Sequence, residues 1–386
     1  MAAPYFVQSA HIFFPIVHYV SFAYPMTQAE IFMSQALQLA ENGLLSSAPN
    51  PAIGCVIVKD GQVIGSGFTQ PPGGNHAEIQ ALQDAAAKGH DVRGATAYVT
   101  LEPCSHFGRT PPCADALVRA GVGKVVAALE DPNPLVAGQG MARLQAAGIA
   151  VESGVLAAQA RELNIGFFTR MQTGKPWVRL KVAASLDGKT ALHNGQSQWI
   201  TSPAARDDGH MWRARAGAIL TGIGTIKEDN PQLTVRTVKL ARQPLRVIVD
   251  SKLSISPEAK ILVGGGNLIF TATVDTAKQA MLEQQGAEVV VLPNPSGKVD
   301  LPQVILELGK RQINELHVEA GSKLNASLIR EHCVDELLVY LAPSILGDGR
   351  GMFGLPALEN LQDKISLKFH QIQQIGEDLR ILARFH

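Results

Sequence analysis

The sequence predicts two successive α/β domains, and three features support this prediction. The chain has 386 residues, of which 46% are hydrophobic, enough for two or three domains with cores of their own. Short apolar runs typical of strands alternate with amphipathic stretches typical of helices in both halves. Gly174-Lys175-Pro176 has the composition of a linker, and a new strand pattern begins at Trp177. We therefore expect a first domain over residues 27–172 and a second over 176–386.

The first 26 residues do not fit either domain. Residues 11–25 are apolar and aromatic, but no Lys or Arg precedes Lys59, so the basic region of a signal peptide is missing. The run is also short for a membrane span of about 20 residues. We expect residues 1–26 to be a disordered extension, or the product of a start codon assigned too early. An ordered chain is expected from Met26, because Thr27 and Glu30 form a capping-box pattern.

In the first domain, the capping box predicts a helix that ends near Gly43. Asp60-Gly61 is a hairpin turn between two short apolar runs. The pattern then predicts helices near 76–88, 113–121, 137–147 and 157–171, and strands near 53–58, 63–68, 95–100, 125–129 and 149–152. This order predicts a sheet sandwiched between helices.

In the second domain, alternation from Trp177 predicts a strand, and Ser202-Pro203 predicts a capped helix start. Further strands are predicted near 218–220, 246–249, 268–271, 288–292 and 316–319, and helices near 275–285, 302–312 and 322–332. No Gly-x-Gly-x-x-Gly follows a strand, which argues against a Rossmann dinucleotide site. Residues 221–225 and 319–323 are Gly-rich strand ends that could cradle phosphate, although tight packing would explain the glycines equally well.

Charge and cysteine content narrow the function. The formal net charge is +0 with 18% charged residues, so the basic excess of a nucleic-acid-binding protein is absent and a small-molecule substrate is favoured. Four cysteines are too few for a disulfide scaffold. Cys104 and Cys113 each follow a proline and indicate metal binding or catalysis in a reducing compartment, whereas Cys55 and Cys333 lie in apolar runs typical of a core.

Three short motifs together predict a catalytic zinc site: His76-Ala77-Glu78, Pro103-Cys104 and Pro112-Cys113. One imidazole and two thiolates fill three positions of a tetrahedral zinc and leave the fourth for water, whose pKa the metal lowers to about 7. Glu78, two residues from His76, is then the proton shuttle, as in zinc deaminases of nucleobases. We expect the start of the third helix to favour the thiolate of Cys113. Each motif alone could be an ordinary helix start or a buried thiol.

The stretch 103–113 resembles that of the bifunctional deaminase–reductases of riboflavin biosynthesis. Eight residues separate its cysteines, whereas most of the wider cytidine-deaminase superfamily has two. Asn50-Pro51, Gly54 and the His-Ala-Glu motif match as well, and the resemblance extends over residues 27–386. It implies a cytidine-deaminase-like three-layer α/β/α domain followed by a dihydrofolate-reductase-like α/β domain.

The resemblance also implies site residues. Substrate contacts in the first domain fall on Asn50, His106 and Arg109. In the second domain, the residues expected to hold NADPH are Ala183, Trp199, Thr225, Asp229, Ser251, Gly321, Ser322, Lys323, Leu324, Asn325, Ala326 and Ser327. Those expected to hold substrate there are Ser197, Arg213, Leu233, Arg236 and Glu319. The chain departs from the family at Thr69, where a His is usual, and at Ala320, where a Gly is usual.

The implied function has two steps. A zinc-dependent hydrolytic deamination acts on 2,5-diamino-6-ribosylamino-4(3H)-pyrimidinone 5′-phosphate, and NADPH then reduces the ribosyl group to ribityl. The resemblance implies a cytoplasmic homodimer, joined through the reductase domain, with no nucleic-acid or membrane partner. Two alternatives stay open: a nucleoside or tRNA deaminase fused to a reductase-like domain, and a non-enzymatic protein with a structural zinc. The neutral charge and the cysteine spacing argue against the first, and the intact Glu78 argues against the second.

Overall fold

The computed structural model describes residues 25–107, 111–134 and 136–385. The chain forms two compact units: one contains Pro51–Ile165 and the described residues up to Ser47, and the other contains Ala48–Asn50 and the residues from Gly166 onward. Residues 1–24 of the N-terminal extension, which we expect to be disordered, lie outside the described part of the chain. The capping box is confirmed, since the Glu30 amide donates to Thr27 Oγ1 at 3.3 Å and the Thr27 amide donates to Glu30 Oε2 at 2.8 Å.

The first unit is a five-stranded sheet with helices. Its elements are α1 Gln28–Glu41, β1 Gly54–Lys59, β2 Gln62–Phe68, α2 Ala77–Ala87, β3 Thr96–Val99, α3 Cys113–Ala120, β4 Lys124–Ala127, α4 Gln139–Ala146, β5 Ala150–Ser153 and α5 Ala157–Leu163. The strand order is β2-β1-β3-β4-β5, antiparallel across the first three strands and parallel across the last three. Because β3 and β4 are parallel neighbours, the segments that follow them leave the sheet at the same edge.

Two local predictions in this unit can be compared with the structure. The hairpin turn is confirmed: Asp60 and Gly61 have φ values of 51° and 77°, as a two-residue type I′ turn requires. The single helix predicted over 157–171 is wrong, because the chain breaks at Asn164 into α5 and α6 Ile165–Thr173, and α6 from Gly166 onward belongs to the second unit. The Asn164 side chain accepts from the Ala52 amide and donates to the Ala52 carbonyl, both at 2.8 Å, and so takes part in tertiary contacts at the break.

The second unit is built on a nine-stranded sheet of order β11-β10-β9-β8-β12-β6-β13-β16-β15. The elements are β6 Trp177–Ser185, β7 Lys189–Leu192, α7 Pro203–Arg215, β8 Ala218–Gly222, α8 Ile223–Asp229, β9 Leu245–Val249, β10 Asn267–Thr271, α9 Thr276–Gln284, β11 Ala287–Val291, α10 Leu301–Lys310, β12 Glu315–Val318, α11 Ser322–Arg330, β13 Glu336–Ala342, β14 Gly349–Gly351, β15 Leu367–Ile375 and β16 Asp378–Phe385. In this sheet order, the seven strands from β11 through β13 run parallel to one another. Strand β16 is antiparallel to β13, and β15 is antiparallel to β16.

This topology places four strand ends side by side. Strands β9, β8, β12 and β6 are consecutive and parallel, so their carboxyl ends lie along one edge of the sheet. In open α/β sheets, ligands bind in the crevice outside the carboxyl ends of the strands. The Gly-rich segments 221–225 and 319–323 follow β8 and β12 at this edge.

Candidate active sites

Three side chains of the first unit converge in an arrangement that could hold a metal ion. His76 Nδ1 lies 3.6 Å from Cys104 Sγ and 3.3 Å from Cys113 Sγ, and the three ligand atoms all lie within 4.8 Å of one another. Tetrahedral zinc with bonds of about 2.0 Å to nitrogen and 2.3 Å to sulfur separates such ligand atoms by about 3.5 Å. The described residues therefore fit a zinc ion that keeps one position for water.

Helix starts and a strand end position these ligands. His76 is the N-cap of α2, Cys113 is the first residue of α3, and Cys104 follows β3. The Cys113 amide donates to Cys104 Sγ at 3.3 Å. The first amide of α3 therefore stabilises the Cys104 thiolate, whereas the expectation that the helix start favours the thiolate of Cys113 stays a prediction. Hydrogen bonding from the Cys113 thiol lowers the pKa of Cys104 to about 4, and the same contact raises the pKa of Cys113.

Glu78 lies in the first turn of α2 and is 4% exposed. Burial raises the pKa of its carboxyl to about 7, and the charge of Cys104 acts in the same direction. A carboxyl group whose pKa lies near neutral pH can both accept and release a proton during turnover. This is the property required of the predicted proton shuttle, and it arises because the helix start directs Glu78 into the interior.

The second unit contains a buried charge cluster at the end of β12. Glu319 forms a bidentate ion pair with Arg213 of α7, with Nη2 2.8 Å from Oε2. Burial opposes ionisation of Glu319, but the charge and hydrogen bonds of Arg213, with smaller contributions from His317 and Lys181, together hold the pKa of Glu319 well below its usual value. Lys181 of β6 is close enough to interact with this carboxylate, and its own pKa is lowered by burial. The cluster lies at the carboxyl edge of the sheet.

The two Gly-rich segments meet at the same edge. Thr221 Oγ1 donates to the Glu319 carbonyl at 2.7 Å, which joins the ends of β8 and β12. Helix α8 begins after Gly222, and α11 begins after Gly321. At Gly222, a Cβ would lie 2.9 Å from Leu324 Cδ2, the end of a flexible side chain, so a larger residue would require that leucine to shift. No such crowding exists at Gly224, where a Cβ would have open space, so a ligand could approach the protein backbone closely there.

Comparison with known proteins identifies both units. Residues 176–381 match the family model of the RibD C-terminal domain, and residues 26–129 match that of the cytidine and deoxycytidylate deaminase zinc-binding region. The Escherichia coli riboflavin biosynthesis protein RibD is 46% identical over 365 residues, covering 91% of this chain and 98% of the relative. The chain belongs to the RibD family.

Solved structures agree with this assignment. Acinetobacter baumannii RibD superposes with a TM-score of 0.84 at 42% identity, covering 93% of this chain and 99% of that one. A Thermotoga maritima diaminohydroxyphosphoribosylaminopyrimidine deaminase/5-amino-6-(5-phosphoribosylamino)uracil reductase superposes with a TM-score of 0.83 at 35% identity, covering 93% and 99%. This RibD-family chain is thus a bifunctional deaminase and reductase of riboflavin biosynthesis, and its cofactors are zinc and NADPH. The predicted pair of α/β domains is confirmed, and the two alternative functions lose their support.

Within the RibD-type deaminase domain, the predicted substrate contacts are only partly described. His106, two residues after Cys104 in the sequence, is exposed to solvent. Arg109 lies outside the described residues. Asn50 belongs to the short stretch that groups with the second unit. Thr69, where the family usually has His, is buried, and its hydroxyl accepts from the Ile53 amide at 3.1 Å. This threonine therefore serves the fold of the sheet through a backbone contact.

In the RibD-type reductase domain, several of the predicted NADPH-binding residues lie at the carboxyl edge of the sheet. Thr225 and Asp229 lie in α8, Ser251 follows β9, Gly321 precedes α11 and residues 322–327 lie in its first turns. Ala183 lies near the end of β6. Ala320 is half-buried against the core of the sheet, so its extra methyl group is accommodated there.

The predicted substrate residues of this domain, together with Trp199 of the predicted NADPH set, divide into two groups. Arg213 and Glu319 form the ion pair, and Arg213 Nη1 donates to the Thr234 carbonyl at 3.4 Å, which places the neighbouring Leu233 and Arg236 segment beside them. Ser197 and Trp199 lie in the segment between β7 and α7. The Trp199 ring is 70% exposed and stacks on the Arg206 guanidinium at 4.6 Å. Among the described residues, no hydrogen bond or ring contact joins these two to the strand ends.

The sequence reading missed Lys181 and His317, which both contribute to the reductase cluster. His317 Nε2 lies 3.3 Å from Glu319 Oε1, and the imidazole is 1% exposed. Each lies within a strand in an apolar context, so neither belongs to a motif with its own spacing. A charged or polar residue inside a buried strand was the available signal, because such residues rarely stand in a core without a partner.

Proposed function

We propose that His76, Cys104 and Cys113 hold the catalytic zinc and that Glu78 moves the proton. The substrate is 2,5-diamino-6-ribosylamino-4(3H)-pyrimidinone 5′-phosphate, deaminated at C2 by the domain formed by residues 27–172. The domain over 176–386 then reduces the ribosyl group. The observation that carries this proposal is the convergence of three ligand atoms within 4.8 Å beside a buried carboxyl whose pKa is about 7.

The residues of the first domain have separable tasks in this chemistry. Zinc, when bound, lowers the pKa of a coordinated water to about 7 and so makes it a nucleophile at neutral pH. Glu78 takes the proton of that water and delivers it to the amine that leaves as ammonia. Asn50, His106 and Arg109 orient the base and its phosphate, and a cationic side chain in the loop after Cys104 suits the phosphate charge.

In the second domain, we assign the NADPH site to the carboxyl edge of the sheet. Supporting this, Thr225, Ser251 and the segment 321–327 follow three consecutive parallel strands. NADPH supplies the hydride that reduces C1′ of the ribosyl group. Arg213, Glu319 and the segment 233–236 then hold the substrate, and Ala183, Asp229, Ser197 and Trp199 complete the site. The Lys181 amine, which is partly buried beside Glu319, is a proton donor within the same cluster.

The zinc assignment is tested by Cys104→Ala. We expect the purified variant to lose most of its zinc and its ammonia release, since two protein ligands rarely retain a catalytic zinc. Reduction of substrate that has already been deaminated should continue. Metal analysis and an ammonia assay measure the two effects, and Cys333→Ala, which removes a buried thiol of the other unit, is the matched control. Full zinc occupancy in Cys104→Ala would show that another group is the ligand.

We further propose that the protein is a homodimer that associates through β15. This edge strand presents Leu367, Phe369 and Ile372, which are 38%, 66% and 53% exposed. A bulge between Phe369 and Gln371 brings Ile372 to the face occupied by the other two. An exposed apolar edge strand pairs readily with a second copy.

The dimer is tested by Phe369→Glu. A twofold interface contains each substitution twice, so the loss of about 2 kcal/mol per buried aromatic ring weakens association by roughly 10³-fold. Analytical ultracentrifugation of wild type and variant measures this. Val263→Glu changes another exposed apolar residue, 68% accessible and away from β15 in sequence, and should leave association unchanged. A wild-type monomer at micromolar concentration contradicts the proposal.

We also propose that the substrate is a small molecule and that the protein is located in the cytoplasm. The net charge of +0 supports a partner that is not a nucleic acid, and the four cysteines are unpaired, as expected in a reducing compartment. None of the helices in the described part of the chain is long and apolar enough to cross a bilayer.

A further inference from the structure

A buried carboxylate next to Pro103–Ser105, the segment around Cys104 that we call the zinc turn, accepts four backbone hydrogen bonds. Glu102 immediately precedes Pro103-Cys104 and is 3% exposed. Its Oε2 accepts from the amides of Asp131 at 3.1 Å and Gly138 at 2.9 Å. Its Oε1 accepts from the amides of Gly140 at 2.8 Å and Met141 at 3.1 Å. Both oxygens are thus fully used by one segment of chain, residues 131–134 and 136–141.

A second contact joins the same two regions from the other side. Arg143 of α4 donates to the Ser105 carbonyl at 2.9 Å, directly after the zinc ligand Cys104. Its Nε also lies 2.7 Å from the carboxylate of Asp115, in the first turn of α3 that begins with Cys113. Arg143 therefore contacts the chain beside both sulfur ligands.

Steric fit shows that the segment lies directly on the zinc turn. A Cβ on Gly140 would lie 1.9 Å from the Pro103 carbonyl oxygen, so only glycine allows this approach. The segment follows β4 and the zinc turn follows β3, and these parallel strands end at one edge of the sheet. The segment begins with Asp131, which is 9% exposed, and its Gly140 lies against Pro103, the residue that precedes Cys104.

We propose that Glu102, assisted by Arg143, is a positioning residue for deamination that fixes this segment against the zinc turn. The inference rests on the proposed zinc site. Glu102 touches no reacting atom; it holds the wall that orients the substrate beside Glu78 and the metal ligands. A carboxylate is required because all four partners are donors, and an amide would direct its own NH2 at two of them.

The test is Glu102→Gln, with Glu152→Gln as a matched control at a half-exposed glutamate of the same unit. We expect zinc content to be retained and the KM for deamination to rise about 10-fold, because loss of roughly 1.4 kcal/mol of substrate binding changes an equilibrium constant tenfold. The kcat per bound zinc should change by less than about threefold, because Glu78 and the ligands remain. Reduction of pre-deaminated substrate should be unchanged.

A structural role alone gives a different pattern. If kcat falls in proportion to lost zinc while KM stays at the wild-type value, or if neither parameter changes, the inference is overturned. Should Glu102→Gln fail to fold, Arg143→Gln decides, since this side chain is 45% exposed: a raised KM with full zinc supports positioning, and an unchanged KM contradicts it. Absence of zinc or ammonia release in the wild type would instead overturn the proposed function itself.

Discussion

Replacing Glu78 by Gln is expected to lower the rate of ammonia release by about 10² to 10⁴-fold, the usual contribution of a positioned general acid–base. The amide is isosteric but can neither take the proton of the water nor deliver it to the leaving amine. Zinc content should be unchanged, because Glu78 is not among the three converging ligand atoms. A discontinuous ammonia assay with the diaminopyrimidinone ribosyl phosphate, run beside metal analysis, measures both quantities.

The reductase activity of the same variant is its internal control. With pre-deaminated substrate, NADPH oxidation by Glu78→Gln should equal that of the wild type. The reason is that Glu78 lies in the first unit, whereas the proposed reductase residues lie in the second. Ammonia release within about threefold of wild type would remove Glu78 from the proton path. Loss of zinc along with activity would make it a metal-site residue rather than a shuttle.

Glu319→Gln is expected to produce the reverse pattern. The substitution keeps the shape of the side chain but leaves the buried Arg213 guanidinium without its anionic partner, and the neighbouring Lys181 amine loses the same charge. Removing one partner of a buried ion pair costs about 3 kcal/mol of folding free energy. We expect reduction of pre-deaminated substrate to fall by at least about 100-fold, the loss associated with an unpaired buried charge in a binding site.

Ammonia release should remain at the wild-type level in this variant. Glu319→Gln and Glu78→Gln thus serve as controls for each other, because they make the same chemical change in each unit at a glutamate that is 13% and 4% exposed, respectively. Thermal unfolding measures the stability of the variant, and the KM for pre-deaminated substrate then shows whether substrate binding is lost. Wild-type reduction kinetics in Glu319→Gln would exclude this carboxylate from the substrate site.

Local sequence rules predicted much of the fold. The capping box at Thr27, the Asp60-Gly61 turn and the Ser202 cap were read correctly, because each depends on residues close in the chain. Strands β13, β15 and β16 were not predicted. Strand β13 is apolar at nearly every position and buried on both faces, so it lacks the alternation that marks a half-buried strand. The exposed β15 carries polar and apolar residues around a bulge that shifts its periodicity.

The sequence by itself determined the metal chemistry of this protein. His76, Glu78, Cys104 and Cys113 stand in short motifs at helix starts and after a strand, so their residue types and local spacing suffice to indicate zinc. The tertiary structure alone decided which groups surround those motifs. The Cys113 amide serves Cys104, the four donors to Glu102 lie 29 to 39 residues away, and Arg213 meets Glu319 across 106 residues. The physical reason is that parallel strand pairing joins distant segments at one sheet edge, and short-range sequence patterns carry no record of which strands become neighbours.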